Sequence, residues 1–253
     1  MNLGIANKTA LVTGGSQGIG FAVAKLLAAE GVRVVLAARS QDTLDAAVTS
    51  VRDGGGDADA IRTDVSDAAD IDRLLQQMAE QHGGVDILVV NAGGPPTGPA
   101  HALDDDAWAD GYELTLMSAV RLARGVVPAM RERGWGRIIN ITSVSVKQPI
   151  PNLTLSNAFR AAVTGFAKTL SNEVAADGVT VNNVAPGYTA TERLSEVVDN
   201  DEARARILSQ IPAGRFADPD EIAAAAVFLA SQQAAYITGQ TIKVDGGHIR
   251  AVD

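Results

Sequence analysis

The 253-residue chain contains no cysteine, few aromatic residues and fewer cationic than anionic side chains. Without cysteine it has no disulfide, no zinc-thiolate site and no thiol nucleophile. Its 21 Lys and Arg against 30 Asp and Glu give a formal net charge of −9, which disfavours binding to nucleic acid or to an anionic membrane surface. His, Asp and Glu show no spacing typical of metal ligands, so we expect no metal site. A small-molecule substrate is the partner that this composition favours.

Long apolar runs are also absent. No stretch reaches the roughly 20 apolar residues that span a bilayer, and the first residues, MNLGIANKTALVTGG, lack a basic segment followed by an apolar run and a cleavage site. We therefore expect a soluble cytoplasmic protein. Hydrophobic residues make up 46% of the chain, enough for a sizeable core, and no linker divides it, so we expect one domain over residues 1–253.

Short β-branched segments alternate along the chain with longer alanine-rich segments at helical spacing. Several of the short segments are apolar on both faces, which is typical of parallel strands buried between two layers of helices. The pattern predicts an α/β fold, a doubly wound parallel sheet of about seven strands with helices on both faces. The predicted strands are 9–13, 32–38, 58–63, 85–91, 136–142, 178–186 and 240–244, and the predicted helices are 18–30, 41–53, 67–82, 104–133, 156–176 and 219–231.

Two segments interrupt this alternation. Residues 92–100, AGGPPTGPA, contain too much proline and glycine for a helix, and residues 186–218 form a long stretch between the last two strands. In an open parallel sheet the ligand lies beyond the carboxyl ends of the strands, so both segments are expected to border the site. We expect residues 188–215 to form a flexible flap over the substrate.

Residues 9–27, TALVTGGSQGIGFAVAKLL, show the pattern of a strand, a tight glycine turn and a helix. Gly14, Gly18 and Gly20 are spaced so that the backbone turns sharply and a pyrophosphate approaches the unpaired N–H groups of the helix N-terminus. The alternative is a strand-to-helix turn without a ligand. The position of the glycines between a clear strand and a clear helix favours dinucleotide binding. The turn residues Ser16, Gln17 and Ile19 belong to the same predicted binding site.

The residues after the second and third predicted strands indicate which nucleotide binds. A ribose 2′-hydroxyl calls for an acidic residue about 20 positions after the glycines, whereas a 2′-phosphate calls for a cation. Ala38 occupies the acidic position and Arg39 follows it, which favours NADP(H) over NAD(H); the alternative is a solvated surface arginine. Asp64 is expected either to accept a hydrogen bond from the adenine amine or to cap the helix that begins near residue 67.

Six short motifs, in this order and spacing, make the chain resemble the short-chain dehydrogenase/reductase family over essentially its full length. They are TGGSQGIG at 13–20, DV at 64–65, NAGG at 91–94, GRIINITS at 136–143, VTVNNVAPG at 179–187 and YITGQTIKVDGG at 236–247. The resemblance implies a Rossmann-type domain that binds a nicotinamide cofactor and assembles as a tetramer or dimer. It further implies that Val65 contacts the cofactor, that Asn91, Ala92 and Gly93 lie beside its ribose, and that Pro186, Gly187, Thr189 and Thr191 lie along the nicotinamide.

The resemblance breaks at the catalytic residues, which in this family are Asn, Ser, Tyr and Lys. Ser143 matches the serine that binds the substrate carbonyl, but the positions of asparagine, tyrosine and lysine hold Thr115, Ser156 and Arg160. The family's tyrosine donates a proton because a nearby ammonium lowers its pKa from about 10, whereas a serine is far less acidic and an arginine relays no proton. A missing general acid costs on the order of 10²- to 10⁴-fold in rate. Arg160, with Ser156, is expected instead to hold ribose hydroxyls or a substrate anion.

Two other residues are candidates for the missing proton donor. Lys147 lies four residues after Ser143 in the loop SVSVKQP, and Tyr188 is the tyrosine near the expected nicotinamide. The alternatives are a solvated lysine and a tyrosine that only packs under the flap. The GGPPTG loop and the serine-asparagine start of the site helix also resemble atypical members of the family that reduce conjugated C=C bonds. Such a reaction needs no tyrosine, because Ser143, Arg160 or Lys147 stabilises the enolate and water protonates it.

The predicted function is an NADP(H)-dependent oxidoreductase that transfers hydride to or from a small carbonyl or conjugated carbonyl compound, with a non-standard proton donor. The alternatives are a catalytically silent NADP(H)-binding protein, serving as a sensor or regulatory subunit, and a lyase or isomerase on the same fold. The apolar faces of 118–130 and 157–170 exceed what one sheet face needs, which together with the resemblance favours a homo-oligomer.

Overall fold

The predicted α/β fold is confirmed by the computed structural model, which describes residues 2–198 and 200–252, with only the backbone for 195–197. All strand pairs in its seven-stranded sheet are parallel, and the strand order is β3-β2-β1-β4-β5-β6-β7. The bounds lie within two residues of those predicted from the apolar pattern. The strands are β1 Thr9–Thr13, β2 Arg33–Ala38, β3 Asp57–Arg62, β4 Ile87–Val90, β5 Gly136–Ile141, β6 Val179–Pro186 and β7 Thr241–Val244.

The direction in which the sheet grows reverses between β1 and β4. From β1 the chain builds outward through β2 to β3, and it then returns to place β4 on the other side of β1 and continues to β7. The loops that leave the carboxyl ends of β1 and β4 therefore diverge and open a crevice, which is the usual ligand site of such sheets. The glycine turn and the loop that starts at Asn91 both line this crevice.

The described residues form nine α-helices: α1 Gly18–Ala29, α2 Gln41–Asp53, α3 Ala68–His82, α4 Asp105–Gly111, α5 Ser118–Glu132, α6 Thr154–Val174, α7 Glu192–Val197, α8 Asp201–Leu208 and α9 Pro219–Ala230. None of these helices is long and apolar enough to cross a membrane. α1, α2 and α9 pack on one face of the sheet, and α3, α5 and α6 pack on the other. Within β1, Ala10 and Val12 contact the first layer while Leu11 contacts the second. Burying one Val or Leu side chain stabilises the fold by roughly 1.5–3 kcal/mol.

Side-chain caps start several helices close to where the sequence predicts them. Ser40 accepts a hydrogen bond from the first turn of α2, and Asp67 accepts two from the first turn of α3. Asp218 and Glu221 form a capping box at the start of α9. Each cap satisfies a backbone N–H that has no partner within the helix, which is worth about 1 kcal/mol. α1 differs, because the side chain of Gln17 makes no cap hydrogen bond.

The segment 104–133 is not the single α-helix that the sequence predicts. It consists of α4, a π-helical stretch at Tyr112–Met117 and α5. π-helical turns are rare and occur mostly as single turns inserted in α-helices, so the apolar spacing favoured one continuous α-helix. At the end of α4 the backbone lies so close to α6 that a Cβ on Gly111 would lie 3.1 Å from atoms of Leu155 and Phe159.

Residues 186–218 contain more regular structure than the sequence predicts, because α7 and α8 lie within them. α8 buries none of its described side chains, so its sequence, DEARARIL, has no apolar face that would have indicated a helix. Its start is stabilised by Asn200, which accepts a hydrogen bond from the Ala203 N–H, and by Asp201 and Glu202 in the first turn. That this segment acts as a flexible flap stays a prediction.

Candidate active site

A cleft of about 1580 Å³ opens at the carboxyl ends of the strands. The glycine turn, the loop after β4, the end of β5 and the residues after β6 form its walls. Within the described part of the chain, no group of three His, Asp or Glu side chains is arranged to hold a metal ion. The predicted site residues that line the cleft are Gly14, Ser16, Gln17, Gly18, Ile19, Arg39, Asp64, Val65, Asn91, Ala92, Gly93, Ser143, Ser156, Arg160, Pro186, Gly187, Tyr188, Thr189 and Thr191.

The glycine turn has no room for a side chain at Gly14, and it brings the N-terminus of α1 to the cleft. Gly14 and Gly18 have left-handed φ values of 55° and 54°, which glycine adopts without strain. A Cβ on Gly14 would lie 2.6 Å from the carbonyl oxygen of Asn91. Because Gln17 does not cap α1 and no acidic residue stands in the first turn, the N-terminus of α1 favours an anion.

Gly20 does not line the cleft, contrary to expectation. It is buried beneath the turn, where a Cβ would clash with the carbonyl oxygen of Gly14 and would lie 2.7 Å from the Asn91 Nδ2. Gly20 is therefore needed for the close approach of α1 to the turn. The glycine spacing by itself does not separate this packing role from contact with a ligand.

Asn91 ties the two loops of the crevice together. Its backbone N–H donates a hydrogen bond of 3.0 Å to the Thr13 Oγ1, and the Thr13 hydroxyl is 3.0 Å from the Asn91 carbonyl oxygen. The side-chain amide of Asn91 donates to the carbonyl oxygen of Gly14 at 3.1 Å. These hydrogen bonds hold the loop after β4 against the glycine turn. They therefore fix the distance between the two cleft walls that these segments form.

Arg39 is exposed on the cleft wall at the end of β2. Arg62, at the end of β3, donates from its Nε to the Arg39 carbonyl oxygen at 3.0 Å.

Asp64 accepts two hydrogen bonds from Ser66, one of 3.0 Å from the backbone and one of 2.7 Å from the hydroxyl. Burial acts to raise the pKa of Asp64, but these bonds and the charge of Arg39 outweigh it, so that the pKa is lowered. The side-chain cap of α3 comes from Asp67 and not from Asp64.

Arg160 reaches from α6 to the ends of β4 and β5. Its Nε donates to the Ser156 Oγ at 3.1 Å, and its Nη1 donates to the carbonyl oxygens of Ile141 at 2.8 Å and Thr142 at 3.3 Å. Its Nη2 makes a longer contact, 3.4 Å, with the carbonyl oxygen of Ala92. The guanidinium is thus fixed by neutral oxygens on three sides of the site.

Arg193 brings a second guanidinium into the cleft, and sequence reasoning missed it. Its Nη2 donates to the carbonyl oxygen of Pro95 at 3.1 Å, and a Cβ on Gly94 would lie 2.6 Å from its Nε. Burial, together with the charge of Arg193, lowers the pKa of Arg160 to about 10, so Arg160 stays protonated at neutral pH. No motif marks Arg193, and only the folded position of α7 against the loop after β4 reveals it.

Ser143 follows β5 directly and lines the cleft. Its Oγ accepts a hydrogen bond of 3.1 Å from the Ser145 N–H, at the start of the short 3₁₀ helix Val144–Val146. Its hydroxyl hydrogen makes no bond to any described residue, so it is available to a ligand. Lys147, which the sequence left as either a candidate proton donor or a solvated lysine, is exposed and does not line the cleft. The 3₁₀ turn separates the lysine from the strand end that presents Ser143.

Tyr188 lines the cleft and also packs within an aromatic cluster. Its ring lies edge-on to His248, with centroids 5.4 Å apart, and 6.3 Å from the ring of Phe216. Burial raises the pKa of Tyr188, and the charge of Arg206 offsets this only in part. The phenol therefore keeps its proton to higher pH than an ordinary tyrosine. Tyr188 therefore packs against neighbouring rings beside the cleft, and its role as a proton donor stays a prediction.

A second, small cavity of about 10 Å³ adjoins Arg160. Thr115 lines it, and the buried hydroxyl of Thr115 has no hydrogen-bond partner among the described residues. The volume matches one water molecule, which would give this hydroxyl a partner next to the guanidinium.

Comparisons with known proteins extend over nearly the whole chain. The family model described as enoyl-(acyl carrier protein) reductase matches residues 14–248. The 3-oxoacyl-(acyl-carrier-protein) reductase FabG of Vibrio cholerae is 41% identical over 245 residues, which cover 97% of this chain and 98% of that protein. The L-sorbose reductase of Gluconobacter frateurii, solved with NADPH and L-sorbose, is similar with a TM-score of 0.93 at 36% identity over 100% of both chains. YwfH, an NADPH dependent reductase involved in bacilysin biosynthesis, is similar with a TM-score of 0.94 at 30% identity, covering 98% of this chain and 100% of that chain.

These matches include the glycine turn, the loop after β4 and the residues after β6, which together form the cleft. They agree with the doubly wound sheet and with the motif order in the sequence. The chain therefore belongs to the short-chain dehydrogenase/reductase family and is an oxidoreductase of that class.

Proposed function

We propose that the chain is an NADPH-dependent reductase of a small ketone, 3-oxoacyl or conjugated carbonyl compound. The observation that carries this proposal is the presence of Ser143 and Arg160 in one cleft wall, the first with an available hydroxyl hydrogen and the second with a fixed positive charge. Both features stabilise an oxygen on which negative charge develops. The relatives support the substrate class, since they include a 3-oxoacyl-(acyl-carrier-protein) reductase and an L-sorbose reductase.

The cleft fits a nicotinamide dinucleotide. Gly14 and Gly18 add no side chain where a pyrophosphate would approach the N-terminus of α1, and the cleft volume accommodates an extended ligand. Asp64 and Val65 would hold the adenine, and Asn91, Ala92 and Gly93 the ribose beside the nicotinamide. The residues proposed to lie along the nicotinamide are Pro186, Gly187, Thr189 and Thr191.

Arg39 would select the phosphorylated cofactor. It is exposed on the cleft wall, and Ala38 leaves no carboxylate beside it to bind a ribose 2′-hydroxyl. A planar guanidinium matches a 2′-phosphate. The NADPH in the L-sorbose reductase structure supports this choice. We therefore propose that NADP(H) is preferred over NAD(H).

The reaction needs one hydride and one proton. When bound, NADPH would supply the hydride. The substrate carbon would take this hydrogen with its electron pair, the C=O π electrons would pass to oxygen, and the oxygen would take up a proton to give an alcohol. Ser143 would donate a hydrogen bond to that oxygen, while Arg160 with Ser156 would hold ribose hydroxyls or an anionic group of the substrate. Because the pKa of Arg160 is about 10, it contributes charge at neutral pH and not a proton.

Tyr188 is the proposed proton donor for a ketone, because it lines the cleft and keeps its proton at neutral pH. Its raised pKa makes it a weaker acid than an ordinary phenol, so proton transfer from it would be slow. Lys147 is a weaker candidate because its side chain is exposed outside the cleft wall. A conjugated substrate would need no proton from Tyr188. Addition of the hydride to its β-carbon would give an enolate. Ser143 would then hold the enolate oxygen while water protonates the α-carbon.

Single-turnover oxidation of NADPH by the purified protein, with protein in excess and a panel of ketones and enones, tests the proposed function. We expect loss of NADPH with at least one class of carbonyl compound, and a rate about 10²-fold lower in Ser143→Ala. Tight NADPH binding without oxidation by any acceptor would contradict the proposal. That outcome would instead favour the catalytically silent NADP(H)-binding protein.

We also propose that the chain forms a homo-oligomer, a tetramer or dimer. The outer face of α6 presents Ala158, Ala161, Ala162 and Gly165 to solvent, a smooth apolar surface that suits close packing against a second copy. Large apolar side chains are also exposed elsewhere on the surface. These are Phe228 on α9, Tyr236 and, in the edge strand β7, Ile242.

A further inference from the structure

Arg160 and Arg193 approach the same short segment, residues 92–95, from two different helices. Arg160 on α6 contacts the carbonyl oxygen of Ala92 at 3.4 Å, and Arg193 on α7 donates to that of Pro95 at 3.1 Å. Both side chains line the cleft, and they are close enough that the charge of Arg193 acts on the pKa of Arg160. Two guanidinium groups therefore bound one small part of the cleft.

Arg160 has no carboxylate partner. Its hydrogen bonds go to the Ser156 hydroxyl and to backbone carbonyl oxygens, which are neutral acceptors. Among the residues that the structure describes, no carboxylate oxygen lies within 4.0 Å of its nitrogens. A partly buried cation beside a second cation is costly, and binding of an anion relieves that cost.

The cofactor phosphates have other places in the cleft. The pyrophosphate fits the N-terminus of α1 beside Gly14 and Gly18, and Arg39 lies at the end of β2 where the 2′-phosphate is expected. The segment 92–95 is instead linked through Arg160 to Ser156, at the proposed reacting end. The anion that binds between the arginines is therefore best supplied by the substrate.

We propose that Arg160 and Arg193 bind a carboxylate of the substrate, so that the acceptor is a 2-oxo or 3-oxo acid, or the corresponding conjugated unsaturated acid. This inference rests on the proposed function and narrows its substrate class. A carboxylate is planar and has two oxygens, which match the paired N–H groups of guanidinium ions. Arg160 offers its Nη2, the nitrogen with the longest contact to the protein. Reduction adds one hydride and one proton to the C=O or C=C bond and leaves the carboxylate unchanged.

A matched pair of acceptors tests the inference at saturating NADPH: acetoacetate, and ethyl acetoacetate, which lacks the charge. We expect the wild-type protein to have the higher kcat/KM for acetoacetate. Arg193→Gln is expected to lower kcat/KM for acetoacetate by about 10- to 100-fold, mainly through KM, and that for the ester by less than about 3-fold. Arg124→Gln removes an exposed arginine of α5 outside the cleft wall and is expected to change neither value. NADPH affinity, measured by fluorescence titration, should be the same in wild type and Arg193→Gln.

Three results would overturn the inference while the proposed function stands. They are equal reduction of acid and ester by the wild type, equal losses for both in Arg193→Gln, and weaker NADPH binding in Arg193→Gln, which would place the arginine on the cofactor. If neither acceptor oxidises NADPH, a binding experiment tests the carboxylate site instead. Acetoacetate is titrated into the protein–NADPH complex, and the change in NADPH fluorescence reports its binding. If acetoacetate binds the wild type and binds Arg193→Gln more weakly, the result supports a carboxylate site without turnover. If acetoacetate does not bind, or binds both proteins equally, the carboxylate site is refuted.

Discussion

The Nε of Arg160 donates a hydrogen bond of 3.1 Å to the Oγ of Ser156, one turn earlier on α6. Ser156 and Arg160 stand where the family resemblance implies tyrosine and lysine. A short hydroxyl side chain and a long cationic side chain therefore contact each other at these positions. The two residues form one hydrogen-bonded unit. Because Ser156 accepts this bond, its hydroxyl hydrogen is left to face a ligand in the cleft.

Arg160→Ala is expected to lower kcat/KM for the best acceptor by about 10²- to 10³-fold. The substitution removes the positive charge and the bonds to Ser156, Ile141 and Thr142. Arg160→Lys is the matched control, since an ammonium keeps the charge without the fork of donors and should give a smaller loss. Steady-state kinetics measure the effect, with circular dichroism to show that both variants fold. Unchanged turnover and unchanged NADPH affinity in Arg160→Ala would remove this residue from the site.

Arg39→Ala is expected to weaken NADPH binding by about 10-fold or more and to leave NADH binding nearly unchanged. The reason is that only NADPH carries the 2′-phosphate that the exposed guanidinium would bind. Fluorescence titration of both nucleotides measures the two dissociation constants, and NADH serves as the internal control. Equal affinity of the wild type for NADH and NADPH would show that Arg39 is a solvated surface residue.

Tyr188→Phe is expected to lower ketone reduction by about 10²- to 10⁴-fold and to change enone reduction by less than about 3-fold. Burial raises the pKa of Tyr188, so its proton-donating form persists above pH 10, where an ordinary tyrosine ionises. Arg160, with a pKa of about 10, loses its charge first as the pH rises. The pH profile of ketone reduction should therefore stay flat through neutral pH and fall near pH 10. A fall well below that value that disappears in Tyr188→Phe would be incompatible with a raised pKa.

Gly20→Ala is expected to lower the free energy of unfolding by about 1–3 kcal/mol. Its Cβ would clash with the backbone oxygen of Gly14, and backbone does not move aside as a flexible side chain does. Gly93→Ala is the control for stability, since a Cβ there meets nothing within 4 Å, and it should change stability by less than about 0.5 kcal/mol. Denaturant unfolding compares the two. Equal free energies of unfolding for the two variants would mean that the glycine turn accommodates the added Cβ at Gly20 without loss of stability.

Ala162→Arg is expected to dissociate the proposed oligomer, because a long cation on the exposed apolar face of α6 prevents close packing of a second copy. Ala46→Arg adds the same side chain to the exposed face of α2 and should leave the mass unchanged. Multi-angle light scattering gives the mass of each variant. A monomeric mass for the wild type would refute the oligomer outright.

The order of elements was predictable from the sequence alone. Buried parallel strands leave continuous apolar runs, as in ILVV and GRIINI, and the helices between them keep a regular apolar spacing, so β1 to β7 were placed within two residues. The glycine turn was predictable for the same kind of reason, because the constraint that it satisfies is local, whereas the role of Arg39 in binding a 2′-phosphate stays a prediction. Motif positions also identified Ser143, Ser156 and Arg160, which the fold brings to one cleft.

The fold itself decided which side chains meet. Arg193 donates to Pro95, 98 positions earlier, and no local pattern encodes a contact over that distance. In the same way, the burial of Gly20 under the turn and the exposure of Lys147 depend on how loops pack and not on residue spacing. The sequence by itself therefore determined the sheet, the glycine turn and the family. Tertiary packing decided which charged side chains share the cleft, because residues far apart in the chain come together only in the folded structure.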